Sequence, residues 1–203
     1  KFLVEKEAKL IIIACNTATA AAIDYLRDHY DMPFVGMEPA VKPAAINSLS
    51  GSIGILATEN TFNGRLFKET SKKYAKNIQV FVQPGFGLVE LIEKGKAVSA
   101  ESEQLVESYI NPMIEKKVDH IVLGCTHYPF LMPVLKKIVP ENINIIDPAE
   151  AVARRTCNIL KEHNLQNDQS SNPRHWFYAT GNIQILRKMV DSYSMINCSI
   201  MKL

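Results

Sequence analysis

Ile12-Ile13-Ala14-Cys15-Asn16-Thr17 and Val122-Leu123-Gly124-Cys125-Thr126-His127 are one local device written twice. Each passes from an apolar strand through one small residue to a cysteine, then to hydroxyl or amide side chains able to cap a helix. The apolar run Leu10 to Ala14 suits a parallel strand covered on both faces, hence an inner strand with a neighbour on either side. A small residue before the cysteine lets backbone or ligand approach closely. The helix beyond offers free N–H groups and the positive end of its dipole. Those features lower a thiol pKa and attract carboxylates.

Working outward, strands and helices alternate along the chain. Strands are expected at Pro33–Gly36, Ile53–Ala57, Ile78–Val82, His120–Leu123, Ile143–Ile146 and Trp176–Ala179. Helices are expected from Ala18 to about Tyr30, after Ala57 through Phe67 and Tyr74, over Leu88–Glu93 and Glu101–Lys117, over Phe130–Ile138, and from Pro148 onward. The polar stretch Asn164 to Pro173 reads as a loop; a last helix and a short apolar run follow Ala179. This order predicts an α/β fold of parallel sheets with helices on both faces. Ligands in such folds sit beyond the carboxyl ends of the strands, where both cysteines fall.

The 203 residues, 47% hydrophobic, can bury a substantial core in one large domain or two small ones. A formal net charge of +2 with dispersed charges gives no footprint for nucleic acid. No apolar run approaches the roughly 18 residues that suggest a membrane span. The cysteines at 15, 125, 157 and 198 are not in CxxC spacing, which argues against a structural zinc site, and free thiols in a reducing cytosol are the simplest reading.

An isolated cysteine usually reads as core. Two in the same strand-to-helix position, each with polar neighbours, point to chemistry instead. Cys157, in mid-helix, and Cys198, in an apolar run, lack that setting and are expected to pack structurally. Three chemistries could use the pair. A single nucleophile leaves one thiol unexplained. A metal could take Cys15, Cys125 and His127, but no local ligand spacing supports it. Two thiols on opposite faces of a carbon could remove and return a proton, inverting a stereocentre.

The segments Ala14-Cys15-Asn16-Thr17-Ala18-Thr19 and Gly124-Cys125-Thr126-His127-Tyr128-Pro129 resemble the two signature segments of the glutamate racemases, in the aspartate/glutamate racemase superfamily. Gly54-Ile55-Leu56-Ala57-Thr58 with Thr61, Leu88 to Glu93, and Thr180-Gly181 resemble further family segments. The resemblance implies two similar parallel-sheet α/β domains with the site in the cleft between them. It implies interconversion of L- and D-glutamate without metal or pyridoxal phosphate, to supply D-glutamate for peptidoglycan. Cys15 would act on D-glutamate and Cys125 on L-glutamate, with His127 assisting Cys125. Asn16, Thr17 and Thr126 would hold the substrate, with Thr58 and Thr61 as weaker carry-overs. Glu93 joins this set as a candidate partner of His127. The implied partner is glutamate, with neither nucleic acid nor membrane; a homodimer is among the assemblies the resemblance allows.

The family's opening Asp-Ser-Gly turn and Pro-Tyr-Gly segment do not appear, and the chain starts at Lys1 within what looks like a helix. The expectation is a first domain of residues 1–40 plus 150–203, truncated at its N-terminus, a second of 41–149, and impaired turnover. The runner-up activity is an aspartate or other racemase or isomerase of the same superfamily. A binding protein that keeps the fold without catalysis is a third reading, which the intact thiol pair argues against.

Overall fold

The computed structural model describes residues 1–167, 173–191 and 198–203. Its elements are α1 (Phe2–Glu5), β1 (Ile11–Ile13), α2 (Asn16–His29), β2 (Phe34–Gly36), α3 (Val41–Asn47), β3 (Ser52–Ala57), α4 (Glu59–Asn63), α5 (Arg65–Tyr74) and β4 (Gln79–Pro84). There follow α6 (Leu88–Glu93), α7 (Ala100–Glu115), β5 (His120–Gly124), a 3-10 turn (Tyr128–Leu131), α8 (Met132–Ile138), β6 (Asn144–Ile146), α9 (Ala149–Glu162), β7 (His175–Ala179), α10 (Ile183–Asp191) and β8 (Cys198–Lys202). Every strand pairing is parallel: β1 with β2, β7 with β8, and a four-stranded sheet in the order β4-β3-β5-β6.

Every residue of β3 and β5 is buried, which is what near-continuous apolar strands at the centre of a parallel sheet require. Their side chains alternate between two cores. Leu56, Ile121 and Leu123 pack with Leu88, Val106 and Ile110. Ile53, Ile55 and Val122 pack with Val41, Ala44 and Phe67 on the other face. Helices α6, α7 and α8 therefore cover one side, and α3 and α5 the other.

Several expectations are corrected. β1 pairs only with β2 among the described residues, and Ile12 is 43% exposed. A strand of three residues with one paired edge does not bury both faces, and the second neighbour expected of this run is not among the described residues, which leaves the open edge expected of a domain truncated at its N-terminus. Asn16 and Thr17 do not cap α2. Cys15 is the N-cap residue, and both side chains, already inside the helix, bond to other elements. The helix expected after Ala57 divides at Gly64, which is extended. The one expected over Phe130–Ile138 divides into a 3-10 turn and α8. Helix α3 was not anticipated; Pro43 sits in its first turn, where a missing N–H costs little. Cys157 is exposed on α9 rather than packed, and Cys198 is half-buried. Of the loop expected at Asn164 to Pro173, residues 168–172 lie outside the described residues.

At the amino end of the sheet a charge clips the loop that enters β3. Asp119 Oδ2 accepts N–H bonds from Leu49 at 2.6 Å and Ser50 at 2.7 Å, and Oδ1 meets His120 Nδ1 at 2.8 Å. Partial burial pushes the carboxyl up, but the His120 and backbone hydrogen bonds outweigh it and hold it well below the usual carboxylate range. Its folded pKa is thus depressed below its unfolded value. The stabilisation is present above the unfolded value of about 3.9 and is lost as pH falls toward the folded one. Asp119→Ala is expected to destabilise the chain by about 1.5–3 kcal/mol at neutral pH. Urea unfolding should show that gap narrowing as pH drops below about 4; a gap constant from pH 7 to pH 2 would contradict the clip.

Candidate active site

The chain leaves β3 for β4 on one side, then crosses back to β5 on the other. The order of strands therefore reverses between β3 and β5, and their connections run to opposite faces of the sheet. A crevice opens at such a switch point beyond the carboxyl ends. Register sets its rim: Ala57 pairs with Gly124, so Thr58 and Cys125 leave the sheet side by side. Gly124 is small because β3 lies against it. A Cβ there would stand 2.5 Å from the Ala57 Cβ, so the close approach is by a strand rather than by a ligand.

The Cys15 junction meets this rim through polar contacts. Asn16 Nδ2 donates to the Gly124 carbonyl at 2.7 Å, tying the residue after one cysteine to the residue before the other. Thr17 Oγ1 lies 3.4 Å from Thr61 Oγ1, which in turn lies 3.0 Å from Thr58 Oγ1 and donates to Gly124 O at 3.5 Å. Thr19 reinforces the base of α2, accepting from Met37 N and donating to Ile13 O, each at 3.0 Å.

A cavity of about 300 Å³ lies among these groups, lined by Cys15, Asn16, Thr17, Thr58, Thr61, Cys125, Thr126 and His127. Glu93 stands outside that lining, behind His127. Asn60 and Val89 also line it and were not singled out. Asn60 could have been found as a polar residue in the first turn after β3, whereas Val89 carries no signal beyond its place in an apolar helix. A larger cleft between Glu93, Phe130 and Met189 holds no thiol. Among the described residues, no group of three or more His, Cys, Asp or Glu side chains is gathered to hold a metal ion. No helix among them is long and apolar enough to cross a membrane.

Cys125 Sγ lies 3.9 Å from His127 Nδ1, and His127 Nε2 lies 3.3 Å from Glu93 Oε1. With the Nε2 proton directed at Glu93, Nδ1 keeps a lone pair for the thiol proton. The thiols differ in setting, Cys15 being exposed and Cys125 half-buried. Burial pushes the Cys125 pKa up, and a charge on Cys15 adds to this. The N–H groups of His127 and Tyr128 work the other way without prevailing. The expected lowering at a helix start is therefore corrected for Cys125. A brief 3-10 turn follows it, and desolvation is the larger effect. Alkylation of Cys125, followed by peptide mass spectrometry, should keep accelerating above about pH 8.5, where an ordinary thiol is half ionised. A plateau below that pH would contradict the dominance of burial.

Residues 2–156 match the family model described as Asp/Glu/Hydantoin racemase. The chain belongs to that family, and its curated relatives set it among the glutamate racemases. It is 44% identical over 169 residues to the glutamate racemase of Herpetosiphon aurantiacus, covering 83% of this chain and 66% of that protein. It is 41% identical over 190 residues to that of Ectopseudomonas mendocina, covering 93% and 72%. The chain thus spans about two thirds of the length of the curated relatives it matches. Among solved structures it superposes on Escherichia coli glutamate racemase in complex with L-glutamate and the activator UDP-MurNAc-ala, at TM-score 0.83 and 29% identity, covering 100% of this chain and 77% of that one. The Francisella tularensis glutamate racemase in complex with D-glutamate gives TM-score 0.81 and 27% identity, covering 100% and 75%.

Proposed function

We propose that the chain interconverts L- and D-glutamate by proton transfer between two thiols, without metal or pyridoxal phosphate, and that in the cytoplasm it supplies D-glutamate for peptidoglycan. The observation that carries the reading is that Cys15 and Cys125, on separate sheets, line one small cavity. The Cys15 thiolate removes the Cα proton of D-glutamate, and the Cys125 thiol delivers its own proton to the opposite face. L-Glutamate leaves, with Cys15 now protonated and Cys125 a thiolate. The reverse reaction resets both thiols.

Negative charge builds on the substrate as its Cα–H is broken, and preorganised N–H and O–H donors stabilise it best. Thr17, Thr58, Thr61 and Thr126 supply hydroxyls along the cavity wall. Asn16 is 5% exposed, and its Oδ1 has no donor among the described residues, which leaves an acceptor for a substrate ammonium. His127, braced by Glu93, takes and returns the Cys125 proton. The division into residues 1–40 with 150–203 and residues 41–149 is part of the same proposal. Its support is that the buried members of both core clusters fall between Val41 and Ile143, while α9 packs on β2.

The test is turnover of one enantiomer in deuterated water. Early in the reaction, label should enter the product enantiomer far more than the recovered substrate. Equal labelling would indicate one shared base and sink the two-thiol mechanism. Cys15→Ala or Cys125→Ala should abolish racemisation, whereas Cys157→Ala, at an exposed position, should leave rate and stability within about 0.5 kcal/mol of the starting chain. Enantiomers have equal free energy, so kcat/KM must match in the two directions for every variant. A variant can split only kcat from KM.

A further inference from the structure

Tyr128 has no part in the mechanism above, yet it is the largest fully buried side chain among the described residues. It directly follows His127. Its hydroxyl donates to the Gly85 carbonyl at 3.3 Å. That carbonyl also accepts the N–H of Leu88, the first residue of α6, at 3.3 Å, and the Gly85 N–H is tied to Ala57 O at 2.9 Å. The fit leaves no room for a side chain: a Cβ on Gly85 would stand 2.4 Å from Tyr128 Oη and 2.9 Å from its Cζ.

The geometry has a consequence for α6. The last residue of this helix is Glu93, whose Oε1 meets His127 Nε2. Two adjacent residues of the turn after β5 therefore hold one short helix at both ends, Tyr128 at its entry and His127 at its exit. A six-residue helix spans only about 9 Å, so a shift at its entry is carried almost undamped to its exit. Glu93 is partly exposed, its side chain 41% accessible, and its carboxylate meets His127 at the exit of the helix.

We propose that Tyr128 is a positioning residue that clamps α6 through Gly85, so that Glu93 holds His127 Nδ1 against the Cys125 thiol. The proposal rests on the reading of Cys125 and His127 as an acid–base pair. A buried tyrosine that merely satisfied its own hydroxyl would contribute to stability alone. A clamp acts selectively on one of the two thiols, and only through Glu93.

The experiment uses this selectivity. Iodoacetamide alkylation of each cysteine in the folded chain is followed near neutral pH by peptide mass spectrometry, with Cys15 as internal reference. Tyr128→Phe keeps the ring and removes the hydroxyl. It should slow Cys125 by about three- to tenfold, the rate equivalent of one ordinary hydrogen bond, and leave Cys15 unchanged. Glu93→Gln should do the same, and the double variant should be no slower than Glu93→Gln alone. Effects that multiply, or a Cys15 rate that falls equally, would overturn the clamp. Glu93→Asp lies at a helix end away from the core and provides an independent check. With α6 clamped, the shortened carboxylate cannot regain His127 and Cys125 slows. A Cys125 rate equal to that of the starting chain would mean that α6 is free to follow. Alkylation needs no turnover, so a failed racemase assay would refute the function without touching the clamp.

Discussion

The pairing of β3 with β5 is the constraint on which the rest of the molecule depends. Both strands are wholly buried, so each must present apolar side chains on two faces, and a slip by one residue would turn every one of them to the wrong core. That same register leaves Ala57 beside Gly124, and so starts the threonine-bearing turn and the Cys125 turn at one level. The site is therefore a by-product of core packing: the geometry at its rim follows from a register fixed by buried side chains that do not line it. Met113, which would collide at 2.6 Å with a Cβ on Gly54, shows how closely α7 follows that register.

Much of this was legible in the sequence because its physical causes are local. Leu88–Glu93 was read with the boundaries it has, since its apolar spacing is helical and Gly87 and Gly95 bracket it. The strands at 52–57 and 120–124 announce themselves as unbroken apolar runs. The two cysteine junctions were legible because the strand, small residue, cysteine and polar pair recur within six positions. Their convergence on one cavity was not a local signal. The duplicated junction suggested it and the resemblance implied it, but it depends on the strand order and on a bond from Asn16 to a carbonyl 108 residues away.

What misled local reading was non-local. Asn16 and Thr17 look like capping residues because their side chains can reach free N–H groups, but groups contributed by β5 and α4 compete for them. A helix start beside Cys125 suggested a lowered pKa, but burial depends on what packs above the thiol, which is absent from its six-residue neighbourhood. Cys157 looked like core because it lies mid-helix, away from any strand end; α9 turns it to solvent. Tyr128 could have been noticed only by pairing it with Gly85, forty-three positions earlier in the chain.

The unequal burial of the two thiols has a kinetic meaning. In the proposed mechanism, the burial that pushes the Cys125 pKa up disfavours its thiolate, the form that would act on L-glutamate. It cannot favour either enantiomer at equilibrium, because the protein is a catalyst and mirror images are isoenergetic. The asymmetry acts instead as a directional memory. Under that mechanism, a molecule that has just released L-glutamate would carry its proton on the wrong sulfur for another D-glutamate. It would then have to process an L-glutamate or wait for solvent to move the proton back, so the mechanism would give the chain an idle interval distinct from the breaking of the Cα–H bond.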